Sequence, residues 1–190
     1  MGLIIFMKEL YMLKIVEKAE IYAVTLEDVK IHLRLEHSEE DQYLLHLIET
    51  ATEYIERYLN RSLLAQKLSF TCEPKPVKGG FCEIKLPRPN ILHVHSVTSI
   101  RSGSARYAVR RYQLVDTDNS PVLTLVTSDP LIEVVYQAGF GIYPKHIPAP
   151  IKHALLQIIA ELYENRGGEC VKQSNFYKEL LEPYRVKDIL

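Results

Sequence analysis

The chain has 190 residues, 47% of them hydrophobic and 25% charged, which excludes wholesale disorder and suits one sizeable core or a core carrying an insertion. Its 23 Lys and Arg against 24 Asp and Glu give a net charge of -1, which argues against a dedicated nucleic-acid binder. Three cysteines, Cys72, Cys82 and Cys170, without a CxxC pair speak against a disulfide framework or a structural zinc site.

In chain order, "MGLIIFMKELYML" lacks both a charged leader and a small-residue cleavage site, and Phe6 stands where myristoylation wants Ser or Thr. No apolar run reaches the roughly 18–20 residues that span a bilayer, so the expectation is a soluble chain with no membrane partner. Residues 1–11 have no helix cap and only a short apolar cluster, and are expected to be dispensable.

"TLEDVKIHLRL" opens the first helix, with Thr25 and Asp28 in capping-box spacing and Leu26, Val29 and Leu33 on one face. "SEED" repeats the signal with Ser38 and Asp41. It predicts a long helix from about Glu39 to Leu59, stopped by Asn60, with Arg57 and Arg61 at its negative end. Leu44, Ile48, Ala51, Ile55 and Leu59 make its central stripe. Tyr43, Leu47, Tyr54 and Tyr58 line one edge, giving an apolar arc wider than one core contact requires. That edge either meets a neighbouring subunit or is covered within the monomer; tyrosine suits both.

From Ala65 to Gln137 the period falls to two. "KLSFTC", "CEIKL", "SVTSIR", "YQLV", "VLTLV" and "LIEVVYQ" read as strands separated by proline, glycine and Asp/Asn turns. "GFG" at Gly139–Gly141 reads as a flexible exit from the last strand. "IPAPIKHALLQIIAELYENRGG" is then a helix with Pro148 and Pro150 at its start and Gly167–Gly168 as its stop. Its main stripe is Ile151, Leu155, Ile158 and Leu162, while Leu156, Ala160 and Tyr163 make a second apolar side. A short helix, about Asn175 to Leu181, ends before Pro183.

The chemistry-bearing residues are few. His93 and His95 share a strand face but lack a third ligand, and there is no H-E-x-x-H, phosphate loop or G-x-S-x-G elbow. No metal, cofactor or catalytic residue is therefore assigned. Arg101, Arg106, Arg110 and Arg111 form a basic hairpin, which is either a phosphate contact or a solvated face.

Five phrases carry a family resemblance in this order: "VTLEDVKIHLRLEHSEEDQYLLHLIETATEYIERYLNRSL", "LPRPNILHVHSVTSI", "VVYQAGFG", "IPAPIKHALLQIIAELYENR" and "LLEPYRV". Together, over about Ile21 to Val186, they resemble the tailed-phage head–tail connector (adaptor) family, in its longer prophage-encoded branch described as possible DNA-packaging proteins. The resemblance implies a virion part without catalysis. Such a part forms a ring homo-oligomer beneath the portal protein after packaging, surrounds the packaged DNA and docks further head-completion or tail proteins. It implies assembly in the bacterial cytoplasm and residence at the head–tail junction. Residues 1–11 precede the usual family start, which makes Met12 an alternative initiator.

The expectation is thus an α+β protein, one domain overall, with a helical core of two N-terminal helices plus the C-terminal helices and an inserted antiparallel β-region. Its parts are an extension at 1–20, a helical part at 21–64, the insertion at 65–138 and a second helical part at 139–190. Tyr43, Tyr54, Tyr58, Leu156, Ala160 and Tyr163 are the expected subunit interface. Pro183, Tyr184, Arg185 and Val186 are the expected portal contact. A DNA-binding packaging accessory using the arginine hairpin is the first alternative, and a metal-dependent hydrolase on His93 and His95 the remote one.

Overall fold

The computed structural model describes residues 11–101, 105–116, 119–166 and 176–187. The fold is α+β, as the change of period implies. Two compact units make it up: a sheet unit built on residues 66–138 with the N-terminal 18 residues, and a helical unit of residues 19–65 and 139–188.

In the helical unit, α1 (Leu26–Leu33) begins as expected. Asp28 N donates to Thr25 Oγ1 at 3.0 Å and Thr25 N donates to Asp28 Oδ2 at 3.1 Å, closing the capping box. The second box does not form. Helix α2 (Asp41–Leu59) has Glu40 and not Ser38 as its cap, with no side-chain cap bond, so Asp41 is its first residue and pairs with Lys30 at 2.8 Å. At its other end Asn60 adopts a left-handed φ of 54° and its N–H closes onto the last turn. All five residues of the central stripe are fully buried.

Helix α3 (Ala149–Glu164) has Pro148 as its cap and Pro150 in its first turn. Its buried face is Ile151, Ala154, Leu155, Ile158 and Ile159, which widens the expected stripe on both sides and corrects it at one position: Leu162, in the last turn, is 37% exposed. The helix closes at Asn165, whose Nδ2 donates to Glu161 O at 2.8 Å. The expected glycine stop at 167–168, Cys170 and the stretch up to Asn175 lie outside the described residues. Helix α4 (Phe176–Leu181) runs into a 3-10 turn, Glu182–Tyr184, that contains Pro183. Helices α1 to α4 share one core, in which Val29, Leu44, Leu155 and Leu181 are all buried.

"GFG" is not a loose exit. A Cβ on Gly139 (φ +150°) would lie 2.5 Å from Leu64 O, and one on Gly141 (φ +157°) 2.2 Å from His146 Nδ1. Phe140 N donates to Leu63 O at 3.3 Å and Ala65 N to Gly141 O at 2.9 Å, so the two passages of the chain are tied to each other.

Among the described residues the sheet unit holds nine strands: β1 (Met12–Glu17), β2 (Gln66–Cys72), β3 (Lys75–Pro76), β4 (Cys82–Lys85), β5 (Ile91–Ile100), β6 (Arg106–Ala108), β7 (Tyr112–Val115), β8 (Val122–Leu125) and β9 (Leu131–Ala138). They form two antiparallel sheets, β1-β2-β9-β5-β6 and β3-β4-β8-β7. Alternate residues Ile132, Val134, Tyr136 and Ala138 of β9 are buried, and Leu123 and Leu125 of β8 face the same core. There Tyr136 donates its hydroxyl to Pro87 O at 2.6 Å, and burial pushes that phenol far above its ordinary pKa. Cys72 is buried and free, its thiol pushed up to about 12, while Cys82 is likewise buried and free. Strand β1 lies within the expected extension. The dispensability expected of residues 1–11 falls outside the described residues except at Tyr11, whose ring stacks on Phe70 at 6.2 Å.

Candidate assembly surfaces

The tyrosine edge of α2 is partnered inside the helical unit. The rings of Tyr43 and Tyr163 lie 6.3 Å apart, and the Arg166 guanidinium sits 4.4 Å from both ring centroids. Arg166 also pairs with Glu40 at 2.6 Å, and Tyr163 donates its hydroxyl to the same carboxylate. Those two bonds, the tyrosine's first, hold the Glu40 carboxyl below its ordinary pKa, and the same contact raises the Tyr163 phenol. Further along, Tyr54 meets Tyr177 edge-on, hydroxyl to hydroxyl at 3.4 Å, and Tyr58 donates to Glu182 at 3.2 Å. Of the six expected interface positions, Tyr54 is the most open at 38% exposure; Tyr43, Tyr58, Leu156, Ala160 and Tyr163 are half-buried.

The "EPYRV" segment packs along the end of α2. Val186 is buried, and its N–H donates to Leu59 O at 3.0 Å. Asn60 Nδ2 donates to Val186 O and Arg61 Nε to Tyr184 O at 2.7 Å. Arg185 lies over the Tyr58 ring at 4.8 Å, and Pro183 is exposed. Lys187, 2.7 Å away, and then the Tyr58 hydroxyl hold the Glu182 carboxyl below its ordinary value.

In the sheet unit the arginine hairpin is half neutralised by acids brought in from elsewhere in the chain. Arg101 pairs with Asp129 at 2.7 Å and lies over Tyr107, while Arg106 pairs with Glu133 at 2.6 Å. Ser99 and then Arg101 hold the Asp129 carboxyl low. Arg110 and Arg111 are exposed, so the four arginines are not one equivalent set. His93 and His95 are exposed with ring centroids 4.8 Å apart. Among the described residues no group of three or more His, Cys, Asp or Glu is placed to hold a metal ion. No described helix is long and apolar enough to cross a membrane.

Sequence reasoning missed the Glu40–Tyr163–Arg166 cluster, in which Glu40 lies more than 120 residues along the chain from the other two. It also missed a shallow apolar depression on α1, lined by Leu26, Ile31 and Leu35 among charged neighbours. The only local hint was Ile31, which falls off the buried stripe and stands 70% exposed.

Residues 23–86, from before α1 through β4, match the family of phage gp6-like head-tail connector proteins. The head–tail connector resemblance is borne out. The connector match takes in α1 and α2 and the start of the sheet unit. None of the curated proteins compared matches the chain. Among solved structures, a chain from the neck of an empty gene transfer agent particle, computed with C6 symmetry, is similar at a TM-score of 0.78 and 21% identity. That similarity covers 94% of this chain and 97% of the other. A chain from the virion of the native gene transfer agent particle gives 0.79 at 20% identity, with the same coverage of both chains. One from the native neck, computed with C12 symmetry, gives 0.74 at 20%, again covering 94% and 97%. At these identities the likeness establishes a shared fold, over nearly the whole of both chains.

Proposed function

We propose that this chain is a structural head–tail connector, one subunit of a ring beneath the portal that extends the DNA channel and docks the next head-completion or tail protein. The observation that carries this reading is the sharing of one fold, over 94% of the chain, with a component of a phage-like particle's neck. The connector family match at residues 23–86 supports it independently. The work is assembly rather than catalysis: the polar clusters on the surface are ion pairs and tyrosine contacts between helices. The ring is formed by copies of this chain in the virion, after assembly in the host cytoplasm.

For the subunit contact we retain the surface around Tyr43, Tyr54, Tyr58, Leu156, Ala160 and Tyr163, with Tyr54 as its exposed member. For the portal contact we retain the face of Pro183, Tyr184, Arg185 and Val186, reading through exposed Pro183 and Arg185. Packaged DNA passes close to Arg110 and Arg111, the exposed pair of the hairpin.

The test is loss of the gene with complementation, scored by electron microscopy. DNA-filled heads without tails are expected, with rescue by the wild-type chain. Empty heads would favour a packaging accessory, and normal infectious particles would refute both. Tyr54→Glu is the point variant to use, since Tyr163 holds Glu40 and its loss would disturb the fold.

A further inference from the structure

Among the described residues strand β1 ends its sheet, paired with β2 along one edge only, and both of its faces are exposed. Successive residues of a strand point to opposite faces, yet Met12 and Leu13 are both exposed, and all six residues of β1 are exposed. Ile15 is 47% exposed and Val16 50%. No other six-residue stretch among the described residues exposes four large apolar side chains. An apolar edge strand with a free backbone row invites another strand, and stable proteins cover or charge such edges. The central Lys14 is the only charge that β1 carries before Glu17.

The far side of the same sheet has a matching gap. Strand β6 pairs only with Thr98–Ile100 of β5, and Val109 N bonds Val97 O. On that side Ile91 to Ser96 have no described strand beside them, a stretch as long as the six residues of β1. Leu92, 45% exposed, and His93, His95 and Ser96 are open there. Two bulges in the pairing of β5 with β9 sharpen the local twist, which suits a short incoming strand.

We propose that β1 of one copy adds to the free edge of β5, residues 91–96, of the next copy, so that one sheet runs on from subunit to subunit. The inference rests on the ring reading above and names the surface that closes the ring. A cyclic assembly beyond a dimer needs two different, mutually complementary surfaces on each protomer. The two ends of one sheet are such a pair, joined by backbone hydrogen bonds as in other strand additions.

The test combines Lys14→Cys with His93→Cys in the full chain, supplied to assembling particles in place of the wild type. Lys14 falls opposite His93 in a parallel addition and opposite Val94 in an antiparallel one with the six residues in full register, so a Lys14→Cys, Val94→Cys pair is run alongside. Oxidised particles should give a ladder of multimers on a non-reducing gel, and neither single variant should give one. A dimer from Lys14→Cys alone would mean β1 pairs with β1 and would overturn the proposal. Monomer only, from particles that contain the protein, would overturn it while leaving the connector reading intact. Infectious particles lacking the protein would overturn both. As a second variant, Ile15→Glu should melt like the wild type as a free chain yet enter particles at least tenfold less; wild-type incorporation would overturn the proposal.

Discussion

At Gly139 an added Cβ would press on the backbone of Leu64 and Ala65, at 2.5 to 2.8 Å, where nothing can rotate aside. At Gly141 the obstacle is His146, whose ring can swing but whose Cβ, at 2.8 Å, cannot. At Gly80, φ +79°, there is open space and only the left-handed backbone resists. Alanine at these positions should therefore destabilise in the order Gly139, Gly141, Gly80, with Gly139→Ala costing roughly 1–3 kcal/mol from overpacking. Thermal melting of the three variants checks the order. Glu40 gives a pH prediction. Its folded pKa lies below the ordinary 4.5, so its contribution is fully present above 4.5 and is lost as pH falls through the lower folded value. Wild type and Glu40→Gln should accordingly differ in melting temperature at pH 7, and the difference should shrink as pH falls below 4.5. A constant gap down to pH 3 would show the carboxylate is not what the cluster depends on. The same scale shows what the sequence discloses. Thr25 and Asp28 are three residues apart and need only each other, so their box was legible. Ser38 and Asp41 have the same spacing, but the helix starts two residues later at Glu40, and Asp41 pairs instead with Lys30, a partner that only the packing of α1 against α2 supplies.

Among the elements, α2 and its fully buried stripe were readable because one periodic pattern fixed both helix and face. Ile55→Ala in that stripe should cost about 2–5 kcal/mol in chemical denaturation followed by circular dichroism. Helix α3 was legible as a helix and in most of its inward line, but not in where that line stops being covered: Leu162 lies on the same side as Ile151 and Leu155, yet in the last turn it is exposed. Ile159→Asp should thus unfold the helical unit, whereas Leu162→Asp, at an exposed position, should shift melting little. Equal effects would show that Leu162 is as well covered as Ile159. Strand β1 was illegible for a related reason. "MLKIVE" does not alternate, because neither face of the strand is buried against its own chain, and a period-two signal requires one buried face.

Taken whole, the chain's net charge of -1 hides a separation. The sheet unit carries 12 Lys and Arg against 8 Asp and Glu, the helical unit 11 against 16, so their formal charges are +4 and -5. The near-neutral composition of the whole chain averages over this contrast. A channel component needs no sequence readout, and its contact with DNA should be loose and electrostatic. Binding of a short duplex should be weak, independent of sequence and largely lost between 50 and 200 mM salt, and lower still in the Arg110→Glu, Arg111→Glu double variant. Sequence-specific binding that survives 200 mM salt would instead favour the packaging-accessory reading. The order of helices, strands and helices was visible along the chain. The sharing of surfaces between 40 and 166, or 58 and 182, was not, because such pairs leave no periodic trace.

The passages 63–65 and 139–141 lie hydrogen-bonded to each other, and immediately beyond them β2 and β9 pair from Gln66 opposite Ala138 to Cys72 opposite Ile132. Residues 66–138 thus draw their own two ends together, and to the helical unit they amount to a hairpin loop of negligible span, whatever their length. The entropy of closing that loop is met inside the insert and not by the helices. Such a cassette can grow, shrink or be exchanged over generations without the helical core registering the change. A shortened chain joining residue 64 to residue 140 through a short turn should accordingly keep its helical circular dichroism and a cooperative melt.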